Sequence, residues 1–287
     1  MPLSASFGAK LESAFAKYGQ LCVGVDPHAE LLLDWGLQDS VDGLRSFAFT
    51  ALEAAVGRVG IIKPQVSFFE RFGAKGFQVL EDFAAEAAKT DILVIMDAKR
   101  GDIGTTMAAY FDAWLGKTAP FTCDALTVSP YLGFASLNIV MSNAIENGKG
   151  VFTLAATSNP EGAGLQKAMV ADQTIAASIW QSLAELNRVN FGGRNRLGSL
   201  GAVLGATLNL NSFGLGDVAA GQPDAATPIL APGFGVQGAN LSDTNILFGQ
   251  ASAQVIPTVS RSVLQSGPTG VSKAIESAKS ELALALG

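Results

Sequence analysis

The chain has 287 residues, 48% hydrophobic and only 15% charged, with a formal net charge of −6. This composition can bury a core the size of one α/β barrel, roughly 250 residues, and its acidic balance argues against nucleic acid as a partner. No apolar run reaches the roughly 18 residues of a membrane span and the N-terminus shows no basic-then-apolar signal pattern, so a cytoplasmic protein with no membrane partner is expected.

Residues 3–18 place Phe7, Leu11, Phe15 and Tyr18 at helical spacing. LCVGVD (21–26) then reads as a buried strand ending on Asp26-Pro27-His28, and a helix is expected over about 40–57. VGIIKPQ (59–65) is a second strand with one charge, Lys63, near its end, followed by helix-forming sequence over 66–89. The strand at 92–96 comes next, then a helix over 103–117, the strand DALTVSP (124–130) and a helix over 134–147. GVFTLAATS (150–158) is the fifth strand, and an Ala- and Gln-rich stretch, roughly 166–190, predicts one long helix. LGAVLGAT (200–207), TPILAPG (227–233) and AQVIPTVS (253–260) complete the strands, and 268–286 the helices.

The positions where strands turn polar are 26, 63, 97, 129, 157, 207, 233 and 260, evenly spaced except for a long interval after the fifth. Eight strands alternating with helices at that spacing predict an α/β fold, a (β/α)8 TIM barrel, better than an open sheet. With no Pro/Ser-rich linker or low-complexity tract, one catalytic domain over 1–287 is expected. Cys22 and Cys123 both lie in strand-like apolar runs and read as reduced core residues. One histidine and no Cys/His cluster leave no zinc site to expect. His28, beside Pro27, has two readings, a turn cap or a substrate contact, and the cap is preferred.

The most informative stretch is DILVIMDAKRGDIGTT (91–106). The unbroken run Ile92–Met96 suits a parallel strand covered on both faces. Polarity then inverts at once with Asp97, Lys99, Arg100 and Asp102. Strand alternation predicts that Asp97 and Lys99 point the same way, with Asp102 beyond a glycine turn at the start of a helix. Such runs at strand ends are usually solvated charges or caps. This one abuts a wholly apolar strand, where an unpaired charge costs several kcal/mol, and a lysine between two carboxylates meets the need for pairing.

In barrels of this kind the site lies at the C-terminal ends of the strands. Those ends bring together Asp26, Lys63, Asp97, Lys99, Asp102, Ser129, Thr157, Ser158 and Arg261. Two lysines and three acids at one mouth are hard to explain by stability alone. After the last two strands, APGFGVQGAN (231–240) supplies Gly233, Gly235 and Gly238, and SRS (260–262) supplies Arg261. Glycine-rich backbone with a guanidinium on the next strand is a phosphate-binding pattern. PGFGVQG is not a dinucleotide fingerprint, since no ribose-binding acid follows at the required spacing.

DAKRGDIGTT matches the pattern D-x-K-x-x-D-I-x-x-T, and with VGVDP, IIKPQ, TSNPEG, APGFGVQG and SRS in order the chain resembles the orotidine 5′-phosphate decarboxylase family along essentially its whole length. The long interval after the fifth strand resembles that family's longer bacterial branch. The resemblance implies cofactor-free decarboxylation of orotidine 5′-monophosphate to uridine 5′-monophosphate and CO2, in pyrimidine nucleotide synthesis. It implies Lys99 as proton donor to C6, Asp97 facing the departing carboxylate, and a charged array Lys63–Asp97–Lys99–Asp102. Asp102 and Thr106 would reach the neighbouring subunit's site, making a homodimer. Asp26 and Lys63 would bind ribose hydroxyls and Ser158 the pyrimidine edge. Gln237 and Arg261, with backbone amides around Gly235 and Gly238, would hold the phosphate. No metal or cofactor is implied. Loops 158–166 and 234–250 are candidate lids.

Two rival readings share these residues. A Mg2+-dependent sugar-phosphate decarboxylase or aldolase-like barrel would want a carboxylate at the end of the second strand, where Lys63 would repel the metal. A non-catalytic nucleotide-binding barrel would have no need of Asp97 or Asp102 beside an anionic ligand.

Overall fold

A computed structural model describes residues 5–287. Positions 3 and 4 of the expected first helix lie outside the described residues. In chain order the elements are α1 (Phe7–Tyr18), β1 (Cys22–Val25), α2 (Ala29–Asp34), α3 (Val41–Ala55), β2 (Ile61–Pro64), α4 (Ser67–Glu70), α5 (Gly73–Ala87), β3 (Leu93–Arg100), α6 (Gly104–Trp114), β4 (Ala125–Val128), α7 (Asn138–Glu146) and β5 (Gly150–Ala156). They continue with α8 (Ala163–Gln166), β6 (Met169–Val170), β7 (Gln173–Thr174), α9 (Ile175–Phe191), β8 (Leu200–Leu204), β9 (Ile229–Pro232), α10 (Thr244–Phe248), β10 (Val255–Val259), α11 (Arg261–Leu264) and α12 (Gly267–Leu286). Eight strands close a parallel barrel in the order β1-β10-β9-β8-β5-β4-β3-β2.

The strands are buried along nearly their whole length because helices cover their outer faces and side chains fill the interior. The helices dock through apolar stripes: α5 buries Val79, Leu80, Phe83 and Ala87, and α3 buries Leu44, Phe47, Ala51 and Leu52. Inside the barrel, Cys22, Ile61, Leu93, Ile95, Phe152, Leu230 and Ile256 form a second apolar cluster together with Phe7 and Leu11 of α1. Helix α1 thus plugs the end of the barrel where the strands begin. Phe7 meets Phe152 edge to face, with ring centroids 5.9 Å apart. Gly150, the first residue of β5, makes room for it: a Cβ there would lie 2.5 Å from the Phe7 ring. Ser6 caps α1 by accepting from the Ala9 N–H, as expected at an N-cap.

One expectation is corrected. The stretch 166–190 is not one helix. An antiparallel hairpin, β6 against β7, interrupts it, and the helix starts at Ile175 with Thr174 as its cap. Exposed Met169 and Val170 have no core to join, and a threonine hydroxyl placed before an apolar-periodic run starts a helix there. The helix-forming stretch 66–89 is helical as expected and divides into α4 and α5 at Gly73, whose φ is +62°. In the candidate lid 158–166 the chain is tied back to the end of β5: Thr157 N–H donates to Gln166 Oε1 (2.9 Å), and Gln166 Nε2 donates to Thr157 Oγ1 (2.7 Å). Among the described residues no helix is long and apolar enough to cross a membrane. Both cysteines are free and buried, and burial pushes each thiol up to about 12.

Candidate active site

At the opposite end of the barrel the interior turns polar. Lys63 at the end of β2 and Asp97 on β3 are 5% and 8% exposed, so each would be strongly penalised alone. They satisfy one another: Lys63 Nζ donates to Asp97 Oδ2 at 2.8 Å, and Lys99 Nζ donates to Asp97 Oδ1 at 2.6 Å. Burial alone would push the Asp97 carboxyl up, but the two ammonium groups, Lys63 foremost, outweigh it and hold the acid well below the usual carboxylate range. Burial alone would lower Lys63. The carboxylates of Asp97 and Asp26 override it and hold the ammonium above the usual lysine value. Lys99 differs from Lys63 in keeping 44% of its side chain open to solvent. The result is a buried carboxylate between two ammonium groups, one sealed and one facing outward.

Asp97 and Lys99 meet, but not through simple strand alternation. Met96 pairs with Leu126 and Arg100 with Val128, so residues 97–99 bulge opposite Thr127 alone. Lys99 takes a left-handed backbone, φ +49°, unusual for a lysine. Arg100 turns away from the mouth. It pairs with Glu70 and lies over the rings of Tyr110 and Trp114, at 5.9 and 5.7 Å, tying the end of β3 to α4 and α6. Gly101 then passes so close to β4 that a Cβ would lie 2.5 Å from the Ser129 carbonyl oxygen.

Beside Lys63 opens a cavity of about 300 Å³, whose wall includes Asp26, Gln237 and Arg261. Arg261 begins α11, and neither it nor Gln237 has a side-chain hydrogen bond or ion pair among the described residues. Asp26 Oδ1 and Ser260 Oγ are buried there without a protein partner, a state that in folded proteins calls for a ligand or water. The cavity has donors and acceptors for a polar anion and its hydroxyl groups.

A model of the orotidine 5′-phosphate decarboxylase / HUMPS family matches residues 19–275. The chain belongs to this family. It is 50% identical over 264 residues, 91% of each chain, to an orotidine 5′-phosphate decarboxylase of Streptomyces coelicolor. A second such protein, from Salinispora arenicola, is 47% identical over 92% of this chain and 91% of its own. A crystal structure from Streptomyces avermitilis superposes with a TM-score of 0.90 at 48% identity, covering 98% of this chain and 96% of that one.

Against the residues picked out by the family pattern, the chain brings Lys63, Asp97 and Lys99 into one chain of ion pairs and places Asp26, Gln237 and Arg261 around the cavity. The others stand apart. Asp102 reaches no cation of its own chain among the described residues; its Oδ1 accepts from the Ile103 N–H at 2.8 Å. Thr106 is exposed on α6, next to an Ile103 that is 60% exposed. Ser158 is exposed beyond β5, with its backbone against Gly205. The amides of Gly235 and Gly238 are engaged inside their own loop, donating to Ala239 O (2.8 Å) and Gly235 O (2.9 Å), so in this conformation they do not face an anion. His28 makes no side-chain cap; its ring packs 4.3 Å from that of Phe68 on the cavity wall.

Sequence reasoning passed over Thr127 and Ser260. Thr127 is 1% exposed and donates from Oγ1 to Asp97 Oδ1 at 3.0 Å. Its signal was present: it is the one hydroxyl between Leu126 and Val128 in an otherwise apolar strand. Ser260 stands in the sequence as the polar end of the last strand and the first residue of SRS, with nothing to mark its buried hydroxyl.

Proposed function

We propose that this chain decarboxylates orotidine 5′-monophosphate to uridine 5′-monophosphate and CO2 without a cofactor, the last step of pyrimidine nucleotide synthesis. The observation that carries the proposal is the Lys63–Asp97–Lys99 chain of ion pairs at the barrel mouth, next to a cavity that presents Arg261. Departure of CO2 leaves its bonding pair in the ring plane at C6, where no electron sink is available. Stabilisation must therefore come from charge fixed in advance and from prompt protonation. Lys99, the exposed end of the chain, supplies both: its ammonium faces the developing carbanion and delivers a proton to C6. Asp97 is held ionised, so a substrate carboxylate placed beside it meets a charge that cannot be neutralised by protonation. Lys63 keeps Asp97 in that state.

Asp26 takes ribose hydroxyls with Lys63, and Gln237 and Arg261 hold the phosphate. Ser158 meets the pyrimidine edge and Gly235 and Gly238 contribute backbone donors once loops 158–166 and 234–250 close over the ligand. The phosphate is remote from C6, so its binding energy serves to position the ring. Asp102 and Thr106, which form no ion pair or side-chain to side-chain hydrogen bond among the described residues, complete the site of a second copy in a homodimer. The whole chain acts as one catalytic domain in the cytoplasm.

The test is the loss of orotidine 5′-monophosphate absorbance on adding EDTA-treated protein, with uridine 5′-monophosphate identified as product. Folded protein that leaves the substrate intact, and turns over a sugar phosphate only with Mg2+, would overturn the reading. Mixing inactive Lys99→Ala and Asp102→Ala protomers tests the shared site. Partial recovery of activity is expected, and none in verified mixed dimers would defeat the arrangement.

A further inference from the structure

The bulge in β3 raises a physical problem. Three successive residues, 97–99, face the single residue Thr127 of the neighbouring strand, so the regular ladder cannot supply a partner for every backbone group there. At the same place Lys99 is held at φ +49°, a conformation that persists only when surrounding contacts impose it. The Lys99 N–H donates not to a strand carbonyl but to the hydroxyl of Thr127, at 2.9 Å. The same hydroxyl donates its own proton to Asp97 Oδ1 at 3.0 Å. That carboxylate oxygen also receives Lys99 Nζ at 2.6 Å. One hydroxyl therefore closes a ring running from the Lys99 backbone through Oγ1 of Thr127 and the Asp97 carboxylate back to the Lys99 ammonium.

We infer that Thr127 is a positioning residue for the decarboxylation, its hydroxyl fixing the left-handed backbone of Lys99 relative to the Asp97 carboxylate and so setting where the lysine ammonium points. Thr127 is 1% exposed and its hydroxyl is taken up by the Lys99 N–H and Asp97, so it acts through Lys99 and Asp97 rather than on the substrate. The bond directions are fixed by chemistry: an amide N–H can only donate and an ionised carboxylate only accept, which leaves the hydroxyl as the one group type of this size able to bridge them. The methyl group matters less, because the bond network uses only Oγ1. The inference rests on the reading of Lys99 as proton donor.

Its test compares Thr127→Val, isosteric but without the hydroxyl, with Thr127→Ser, which keeps it. Thr153→Val is the control: Thr153 lies on the adjacent strand, paired with Val128, and is fully buried with a hydroxyl that has no partner. For orotidine 5′-monophosphate, kcat of Thr127→Val should fall about tenfold to hundredfold, the scale of a misplaced reacting group. Affinity for uridine 5′-monophosphate should stay within about threefold of the parent, since the groups that hold ribose and phosphate are untouched. Thr127→Ser should recover most of the lost kcat, and Thr153→Val should keep the parent kcat.

A folded Thr127→Val protein with the parent kcat would overturn the inference, as would a Thr127→Ser protein as slow as Thr127→Val. If Thr127→Val does not fold, Thr127→Ala is read in the same way, and failure of both would assign the hydroxyl to stability alone and overturn the positioning role. Failure of the underlying reading looks different. There the unsubstituted protein itself leaves orotidine 5′-monophosphate unchanged, or Lys99→Ala retains its turnover.

Discussion

The two ends of the barrel interior are built from the same strands and solve opposite problems. Where the strands begin, Phe7, Leu11, Phe152 and Ile256 fill the lumen with apolar volume, and stability comes from excluding water. Where the strands finish, the same lumen holds Lys63 and Asp97, whose burial is tolerated only because each charge is paired. The first end can be altered at a cost in stability alone. At the second, stability and the proposed chemistry share side chains, since the carboxylate that neutralises Lys63 is also the one that anchors Lys99. The difference teaches that the polar end is held in a narrow arrangement by charge pairing and the apolar end by volume.

The largest effect should come from Lys99→Ala. Removing the outward ammonium should lower turnover of orotidine 5′-monophosphate by about a thousandfold or more, the scale of a lost proton donor and fixed charge combined. The melting temperature should change little, because that side chain is 44% open to solvent. Steady-state kinetics beside a thermal melt check both halves, and a large loss of stability would blur the contrast between the ends.

Asp97→Ala should fail in both respects, leaving Lys63 buried beside an absent partner at a cost of about 3–5 kcal/mol, read from urea midpoints. The pH dependence has a defined sign. The folded Asp97 carboxyl lies below its ordinary value, so its contribution is complete above about pH 4 and is lost as pH falls through the lower folded value. The folded Lys63 ammonium lies above its ordinary value, so its contribution is complete below about pH 10 and is lost as pH rises through the higher folded value. The stability gap between parent and Asp97→Ala should therefore narrow below about pH 4 and hold steady at neutrality. A gap that grows on acidification would contradict the pairing.

At the apolar end, Phe7→Ala should cost about 3–5 kcal/mol through the cavity it leaves against Phe152. Its kcat, measured well below the melting point, should match the parent. Gly150→Ala is the smallest of the set. The added methyl meets the Phe7 ring and should cost about 1–3 kcal/mol by overpacking, again with kcat unchanged. Either variant losing turnover while still folded would show that the two ends are coupled.

Much of this was legible in the residues. Unbroken apolar runs that end abruptly in Asp26, Lys63 and Asp97 mark strands covered on both faces, and their even recurrence marks a closed barrel, because burial of both faces leaves only their ends polar. The order of motifs placed the chain in its family, and the charge density after Met96 marked the candidate site. Tertiary structure alone decided the rest. Alternation predicted that Asp97 and Lys99 share a face, but the cause is a bulge and a left-handed lysine that Thr127, on another strand, makes possible. Arg100, equally charged and adjacent, is turned to Glu70, Tyr110 and Trp114 by contacts with two helices. Periodicity records which face of its own element a residue takes. It carries no information about which hydroxyl or carboxylate a different strand delivers to the same point, and at this mouth that delivery sets the geometry of the charges.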